Sequence, residues 1–422
     1  MFKLKNLNKL ERSWVLYDVA NSAYILTVIT VLFPIYYDIV GGALPQEERS
    51  SLFMVITAII ALIIALLSPL IGALSNYRGN KKKFFVIFFA VAILGTVALI
   101  VPNLSYVALL AFFLISSIAY GLTNVVYDAF LIDVTTEERM DYVSSQGYAW
   151  GYIGSMIPFI IAIIPYALVT FGILNPDFEY LSIAFAFLVA IVWWLIFSIP
   201  FLKDVKQTYN EDGENSLKKS LKEIFNTFKD IKKYKNIFIF MLAYLFYIDV
   251  VNTVIRLAVT IGTDLQVGVS TLLGVVMLVQ VVAFPSAIYY GKLTKKYGGK
   301  KVIYIGIITY ALAIFATYFI NSETTYLMFL VGLLVGTAQG GIQSISRSFF
   351  AKMLPMKKAN EFFGFFSIFG RFAGIISPFL LAALTLSIST NVAVLILLLP
   401  LGIGAFLLSL VKSERKKFIS DK

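Results

Sequence analysis

Two short stretches of sequence decide the fold of this chain: GALSNYRGNKK at residues 72–82 and GKLTKKYGGKK at residues 291–301. Both fit the pattern G-x-L-[ST]-x-x-x-G-x-K-K, and each joins two long apolar runs. They lie about half a chain length apart in a sequence of 422 residues. A basic, glycine-containing loop repeated at that distance indicates two related halves arranged in tandem.

The composition places those halves in a membrane. Apolar residues make up 59% of the chain, charged residues make up 14%, and the mean hydropathy is +0.85. Soluble proteins carry about 25% charged residues, so this chain lacks the polar surface of a soluble enzyme or a disordered protein. A transmembrane β-barrel is disfavoured because its strands alternate apolar and polar residues. Since the chain contains no cysteine and no histidine, any proton coupling must use carboxylates.

Twelve apolar runs are long enough to cross a bilayer core, which takes about 20 residues per helix. We therefore predict an all-α polytopic membrane protein with two pseudo-symmetric six-helix bundles, at residues 1–202 and 236–422. Residues 203–235 form a cytoplasmic linker, in which 216–234 have the spacing of an amphipathic helix, either on the membrane surface or solvated. The twelve predicted helices are 12–39, 51–75, 84–102, 105–132, 145–171, 180–202, 236–263, 269–292, 301–320, 324–349, 361–386 and 390–411.

The distribution of positive charge predicts the orientation. Of the 35 lysines and arginines, 32 fall in segments on one side of the predicted membrane, and the loops on the other side contain only Arg49. Arg256 and Arg371 are the two that lie within helices. Because positive loops stay inside, we predict a multi-pass protein of the cell membrane with both termini in the cytoplasm.

Polar residues within the apolar runs repeat in the same register as the loops. Asp18 and Asn21 of predicted helix 1 match Asp249 and Asn252 of predicted helix 7. Such agreement supports six helices followed by six related helices. The other matched positions are Gly121, Asn124 and Asp128 with Gly336, Gln339 and Gln343, and Gly154 and Pro158 with Gly374 and Pro378.

The doubled loop resembles the signature of the major facilitator superfamily, in which Asn76 stands where an aspartate is usual. Four further stretches are similar to the vacuole-effluxer-like branch of that superfamily, and together they span the chain. They are YDVANS at 17–22, NTVIRL at 252–257, GIQSISRS at 341–348, and EFFG with FGRF between 361 and 372.

The resemblance implies a secondary transporter that moves a small solute by alternating access. That branch is associated with amino-acid efflux from the fungal vacuole, so an amino acid or related zwitterion is the favoured substrate and export the favoured direction. A lipid or amphiphile flippase, or a drug efflux permease of the same fold, is the alternative. The expected partners are the substrate, protons and the lipid bilayer, without nucleic acid, and the expected state is a monomer.

Ionisable and amide side chains inside the membrane are the candidate site residues, because burying them there is costly unless they serve a purpose. Arg371 lies near mid-membrane, where its planar fork suits a carboxylate. The structural alternative for each is helix packing or a salt bridge between the halves. We predict substrate-binding or coupling roles for Asp18, Asn21, Asn124, Trp150, Asp249, Asn252, Arg256, Gln339, Gln343 and Arg371, and gate roles for Asn76, Gly79, Asp128, Gly298 and Arg347.

Other classes of membrane protein fit the sequence less well. A membrane acyltransferase needs a histidine or cysteine centre, and a channel needs a filter-like loop, neither of which the sequence contains. No nucleotide fingerprint or metal-ligand spacing occurs, so no cofactor, metal or enzymatic activity is expected. Predicted helix 6 has no charged or amide side chain within its span, and its Trp193 and Trp194 are expected to face lipid.

The topology can be tested with single cysteines, since the chain has none of its own. Cysteine at Asn175 or Ser322 should react with an impermeant thiol reagent added outside whole cells. Cysteine at Asn80 or Asn215 should react only after the membrane is permeabilised. Reaction of all four from the same side would contradict the twelve-helix arrangement.

Overall fold

The computed structural model describes residue 4 and residues 6–42, 44–211, 233–265, 267–321, 323–385 and 387–412. Within that part of the chain twelve long helices follow one another, as the apolar runs predict. They are α1 (Lys9–Val40), α2 (Gln46–Ser75), α3 (Asn80–Ala98), α4 (Tyr106–Val134), α5 (Met140–Thr170), α6 (Glu179–Asp204), α7 (Lys235–Asp264), α8 (Val269–Tyr297), α9 (Gly299–Tyr318), α10 (Leu327–Met353), α11 (Met356–Thr385) and α12 (Thr390–Leu410).

Most of the predicted linker is not described. Residues 216–232 of the predicted amphipathic helix lie outside the described residues, as do Asn215 and Ser322. The helices on either side end at Asp204 and begin at Lys235. The bundle boundaries at 202 and 236 stay predictions.

Eleven of the twelve helices described are long and apolar enough to span a membrane. The remaining one, α3, is equally continuous, but its first turn carries lysines at 81, 82 and 83. Those lysines anchor the start of α3 rather than interrupt it. The Lys81 ammonium lies 2.5 Å from a carboxylate oxygen of Asp133, and the Lys82 ammonium donates to the carbonyl oxygen of Phe201 at 2.7 Å.

The two repeated loops contain glycine for the same backbone reason. Gly79 has φ +80° and Gly298 has φ +78°, a region that residues with a side chain adopt only under strain. No other atom lies within 4 Å of the position that a Cβ would take at either glycine. Backbone conformation, and not crowding, therefore explains the glycine in each copy.

The interior of the first half is built from aromatic rings, and here the expectation for helix 6 was wrong. Trp194 is fully buried, with its ring centroid 4.9 Å from that of Tyr24 and 5.7 Å from that of Tyr120. Trp193 donates its indole N–H to the carbonyl oxygen of Val19 at 3.2 Å. Both tryptophans hold α6 against α1, Trp193 through its hydrogen bond and Trp194 through its contact with the Tyr24 ring.

The halves meet at the end of the molecule that carries the loops 78–83, 292–301 and 352–358, called here the lysine-rich end. There α2 packs on the first segment of α11, and α5 packs on α8. Small residues allow these helices to approach closely. A Cβ on Gly364 would lie 2.7 Å from the Cα of Pro69, and one on Gly291 would lie 2.7 Å from the Cβ of Ser145.

Helix α11 is interrupted, and a buried aspartate from α7 accepts hydrogen bonds from the backbone N–H groups at the interruption. Its segments Ala359–Phe372 and Ile376–Thr385 are separated by three residues that include Gly374 with φ +98°. Asp249 is fully buried and accepts hydrogen bonds from four successive backbone N–H groups, those of residues 374, 375, 376 and 377, at 2.5 to 3.2 Å. The first four N–H groups of a helix have no partner of their own, and hydrocarbon offers none.

The capping role of Asp249 predicts a loss of stability when its charge is removed. Asp249→Asn keeps the shape but turns one acceptor oxygen into a donor that faces the Ser377 N–H. We expect the free energy of unfolding to fall by about 2 kcal/mol, the usual cost of losing a charged hydrogen bond. Thermal unfolding in detergent measures this, with Asn252→Ala, one turn along the same helix, as the control. Unchanged stability with abolished transport would show instead that the carboxylate acts in transport.

Candidate functional site

A buried arginine joins the two halves at the lysine-rich end. Arg347 of α10 is 4% exposed. Its Nη1 lies 3.0 Å from Oδ1 of Asp128 on α4, and its Nη2 lies 3.2 Å from Oδ2 of Asp18 on α1. Both carboxylates belong to the other half of the molecule. The structure thus brings together Asp18, Asp128 and Arg347, three residues selected from the sequence.

The remaining hydrogen-bonding capacity of Arg347 is also used by the first half. Its Nε donates to the Ser144 hydroxyl at 3.0 Å, and its Nη2 donates to the Ser144 carbonyl oxygen at 3.2 Å. Its guanidinium lies 4.6 Å from the ring centre of Trp14 and 4.5 Å from that of Tyr148. Aromatic faces attract a cation most strongly when water is excluded, so the rings add to the ion pairs.

A second ring of contacts closes the same end nearer the loops. Asp141 of α5 accepts a hydrogen bond from the Ser348 hydroxyl at 2.7 Å and from the Lys352 ammonium at 2.6 Å. The Ser144 hydroxyl donates to the carbonyl oxygen of Ser344 at 2.8 Å. Each of these bonds runs between α5 and α10, so each must break when the halves separate at this end.

Asn76 lies fully buried at the end of α2, beside the start of α11. Within the described residues neither of its side-chain polar atoms has a hydrogen-bond partner. The neighbouring Ser75 carbonyl oxygen accepts a hydrogen bond from the Asn360 amide of α11 at 3.1 Å. The contact between α2 and α11 at this point therefore rests on close packing and on the hydrogen bond from the Asn360 amide. The neutral side chain of Asn76 cannot form the ion pair that an aspartate could form there.

Above the ion triad, Arg371 of α11 reaches across to α4. Its Nη2 lies 2.8 Å from the position that a Cβ would take on Gly121. One turn along α4, Asn124 accepts a hydrogen bond from the Asn21 amide of α1 at 3.4 Å. Arg371 of the second half and Asn21 of the first half thus both lie against one face of α4. The same face carries Asn124 and Asp128.

Further polar and aromatic residues connect α5 with the second half at the same depth. Trp150 donates to the Gln146 side chain at 3.1 Å, and its ring centroid lies 5.2 Å from that of Phe284 on α8. The Tyr152 hydroxyl donates to Gln343 of α10 at 3.4 Å. Through these contacts α5 of the first half packs on α8 and α10 of the second half. Gln343 and Trp150, predicted from the sequence, take part in them.

Not every predicted site residue joins this group. Asp249 caps α11 within the second half, and Asn252, half-buried, lies one turn further along α7. Gln339 is 8% exposed and lines a mainly apolar cavity of about 120 Å³ inside the second half. The side chain of Arg256 lies outside the described part of the structure.

Several contact residues were not selected from the sequence. Ser144, Asp141 and Lys352 stand at the ends of helices, where hydroxyl and charged residues are ordinary. Trp14 and Tyr148 lie in aromatic-rich helices without a distinguishing spacing. A usable signal was the acidic residue at 141, which follows Asp128 across the short loop between α4 and α5 and lies near the same predicted membrane boundary.

The arrangement suits solute binding and conformational change, and it contains no catalytic constellation. Carboxylates and an arginine from different helices face one another at a boundary between two bodies. Among the described residues no group of three histidines, cysteines, aspartates or glutamates is placed to hold a metal ion. Because each ion pair has one partner in each half, separation of the halves at this end breaks it and leaves its charges without that partner.

Solved structures with the same architecture come from transporters. The crystal structure of a bacterial homologue of the iron transporter ferroportin in an outward-facing state aligns with a TM-score of 0.70 and 15% identity, covering 96% of this chain and 99% of that one. The major facilitator superfamily transporter FucP in the outward conformation aligns with a TM-score of 0.71 and 13% identity, covering 96% and 98%. At these identities the likeness shows the fold.

Relatives are found by sequence as well. The uncharacterized MFS-type transporter YxiO of Bacillus subtilis is 41% identical over 99% of this chain and 98% of its own length. Autophagy-related protein 22 of Kluyveromyces lactis is 22% identical over 72% of this chain and 67% of its own length.

The family described as "Vacuole effluxer Atg22 like" matches residues 40–137 and 133–418. These matches run through both halves and include Asp128, Ser144 and Arg347 of the arginine site, whereas Asp18 of α1 precedes them. The protein is therefore a multi-pass membrane transporter and not an enzyme, and it belongs to the Atg22-like vacuole effluxer family of the major facilitator superfamily.

Proposed function

We propose that this protein exports an amino acid or a related zwitterion, with Arg371 binding the carboxylate group of the substrate. The observation that carries the proposal is the approach of Arg371 to Gly121 on α4 of the opposite half, one turn from Asn124, which accepts a hydrogen bond from Asn21. An arginine fork and amide groups on facing helices can hold a planar carboxylate by paired hydrogen bonds.

The amine of the substrate needs an acid that is still accessible. The Asp128 side chain is 31% exposed, whereas that of Asp18 is 12% exposed. Asp128 lies on the same face of α4 as Asn124 and one helical turn beyond it. We infer that Asp128 offers its free face to an ammonium group while its other face holds Arg347. A solute bearing only one of these charges would leave a buried partner unsatisfied.

The closed lysine-rich end favours an outward-facing state. If that end faces the cytoplasm, as the charge distribution predicts, the contacts of Arg347 and Asp141 form the cytoplasmic gate. The first segment of α11 packs on α2 and α4 of the other half, whereas its second segment packs on α7 and α12 of its own half. Toward the opposite end, α11 therefore packs on its own half, and we infer that a substrate would leave between the halves there.

Proton coupling would act through the same triad. Asp18 and Asp128 are two carboxylates that share one arginine, and protonation of either removes one of the two ion pairs that hold Arg347 to the first half. The free energy needed to open the gate and expose Arg347 to water is then lower than when both carboxylates are charged. This arrangement uses carboxylates alone, as the absence of histidine requires.

Replacing the arginine fork tests the substrate class. Arg371→Lys keeps the charge but loses the paired hydrogen bonds, so amino-acid transport should fall about tenfold or more. The measurement is uptake into liposomes containing purified protein, with each amino acid compared with its decarboxylated amine and its deaminated acid. Arg78→Lys, at an exposed arginine, is the matched control.

The proposal predicts that the intact amino acids are transported best by the wild type and lose most in Arg371→Lys. Wild-type transport by the lysine variant would remove Arg371 from the substrate site. Equal transport of an amino acid and its decarboxylated amine would show that the substrate carboxylate is not recognised.

Neutralising Asp18 tests the coupling. In Asp18→Asn, transport driven by a pH gradient should be lost because the proton has no carboxylate to bind, while exchange of substrate for substrate should continue. Both rates are measured in the same liposomes. Asp38→Asn, with 67% of its side chain exposed, is the control. Gradient-driven transport at the wild-type rate in Asp18→Asn would exclude this carboxylate as the coupling site.

A further inference from the structure

A cleft at the lysine-rich end lies between the halves and apart from the arginine site. It has a volume of about 470 Å³ and opens on the side of the molecule where α5 packs on α8. The first half supplies the loop between α4 and α5, and the second half supplies the last turns of α8. Its lining residues are Asn6, Glu138, Arg139, Tyr142, Ile288, Lys292 and Lys295.

The walls of this cleft are mainly positive. Arg139 is held in place by Glu11, whose carboxylate oxygens lie 2.6 and 2.7 Å from its Nε and Nη2. The exposed lysines Lys292 and Lys295 form no ion pair within the described part of the chain. Two acids, Glu11 and Glu138, stand against three cations, so the net charge at the cleft is positive. A group with at least one negative charge would therefore be attracted into the cleft.

An apolar track leads away from the cleft along α8. Ile288 lies in its wall, and Pro285, Val281 and Met277 follow at helical spacing on the same side. The side chains of Val281 and Met277 are 54% and 60% exposed. Exposed apolar residues that continue from a basic cleft into the span of a membrane helix match a headgroup followed by an acyl chain.

We propose that this cleft binds the headgroup of an anionic phospholipid, with the phosphate held by Lys292 and Lys295 and an acyl chain lying along α8. The site would take a phosphodiester that carries a net negative charge, such as phosphatidylglycerol, in preference to a zwitterionic lipid. Long lysine side chains reach the headgroup level from the end of a membrane helix without leaving the apolar surface.

The position of the cleft gives the bound lipid a conformational effect. Arg139 and Tyr142 belong to one half and Lys292 and Lys295 to the other, so the site is complete only while the lysine-rich end is closed. A ligand that binds one state and not the other shifts the equilibrium toward the state it binds. Anionic lipid therefore stabilises the closed lysine-rich end.

The experiment follows both binding and conformation. Spin labels at Arg78→Cys and Lys357→Cys, exposed residues on the α2 and α11 side, report the distance between the halves without touching the cleft. The full chain is placed in phosphatidylcholine vesicles with and without phosphatidylglycerol, and the short-distance population should rise with the anionic lipid. Native mass spectrometry in detergent measures the affinity for each lipid.

Paired variants separate the cleft from general surface charge. Lys292→Gln with Lys295→Gln should weaken phosphatidylglycerol binding about 30-fold. That change corresponds to about 2 kcal/mol at 1.4 kcal/mol per factor of ten, or about 1 kcal/mol for each lysine near the membrane surface. The conformational response should vanish in the same double variant. Lys296→Gln with Lys301→Gln removes the same charge from the same loop outside the cleft and should respond as the unsubstituted chain does.

Three results would overturn the proposal. The first is an equal short-distance population in vesicles of phosphatidylcholine alone and in vesicles with phosphatidylglycerol. The second is an equal response of the two double variants. The third is closure by inorganic phosphate added to phosphatidylcholine vesicles, which would assign the cleft to a soluble anion. Loss of lipid binding and of the response in the Lys292 and Lys295 variant alone supports the lipid site.

Discussion

The structure depends on the cost of burying the charge of Arg347. A guanidinium that is almost excluded from water must be neutralised and hydrogen-bonded, and the groups that do so for Arg347 come from α1, α4 and α5 of the opposite half. All of the hydrogen bonds and ion pairs that the described residues make with its side chain come from that half. Closure of the lysine-rich end is therefore stabilised by this arginine as well as by helix packing.

The two related halves use equivalent aspartates for different tasks. In the second half, α11 breaks around Gly374, and Asp249 satisfies the four freed N–H groups. In the first half, α5 continues past Gly154, which packs against Val19 of α1, so no freed amides compete for the aspartate. Asp18 is then available to Arg347. One difference in helix continuity thus accounts for which carboxylate caps a broken helix and which one pairs with Arg347.

The sequence predicts what local pattern and charge determine. Twelve apolar runs give twelve helices, and the glycines of the doubled loops adopt the positive φ that a tight turn demands. The pairing of Asp128 with Arg347 could be anticipated, since both lie near the same membrane boundary on opposite halves. The partners of Asp249 could not be, because they depend on a helix break that composition does not reveal. The environment of Trp194 was predicted wrongly because an apolar helix has the same composition whether its aromatic rings face lipid or pack inside the protein.

The position of Arg371 connects these features. It lies in the last turn of the first segment of α11, which packs on α2 and α4. The second segment, which Asp249 fixes to α7, begins five residues later at Ile376. When the halves separate at the lysine-rich end, the first segment must leave α4 while the second stays with its own half. Either the break absorbs that movement or Arg371 is carried away from Gly121 and Asn124. In both cases separation of the halves changes the surroundings of Arg371, so a solute that binds to it can influence which state is stable.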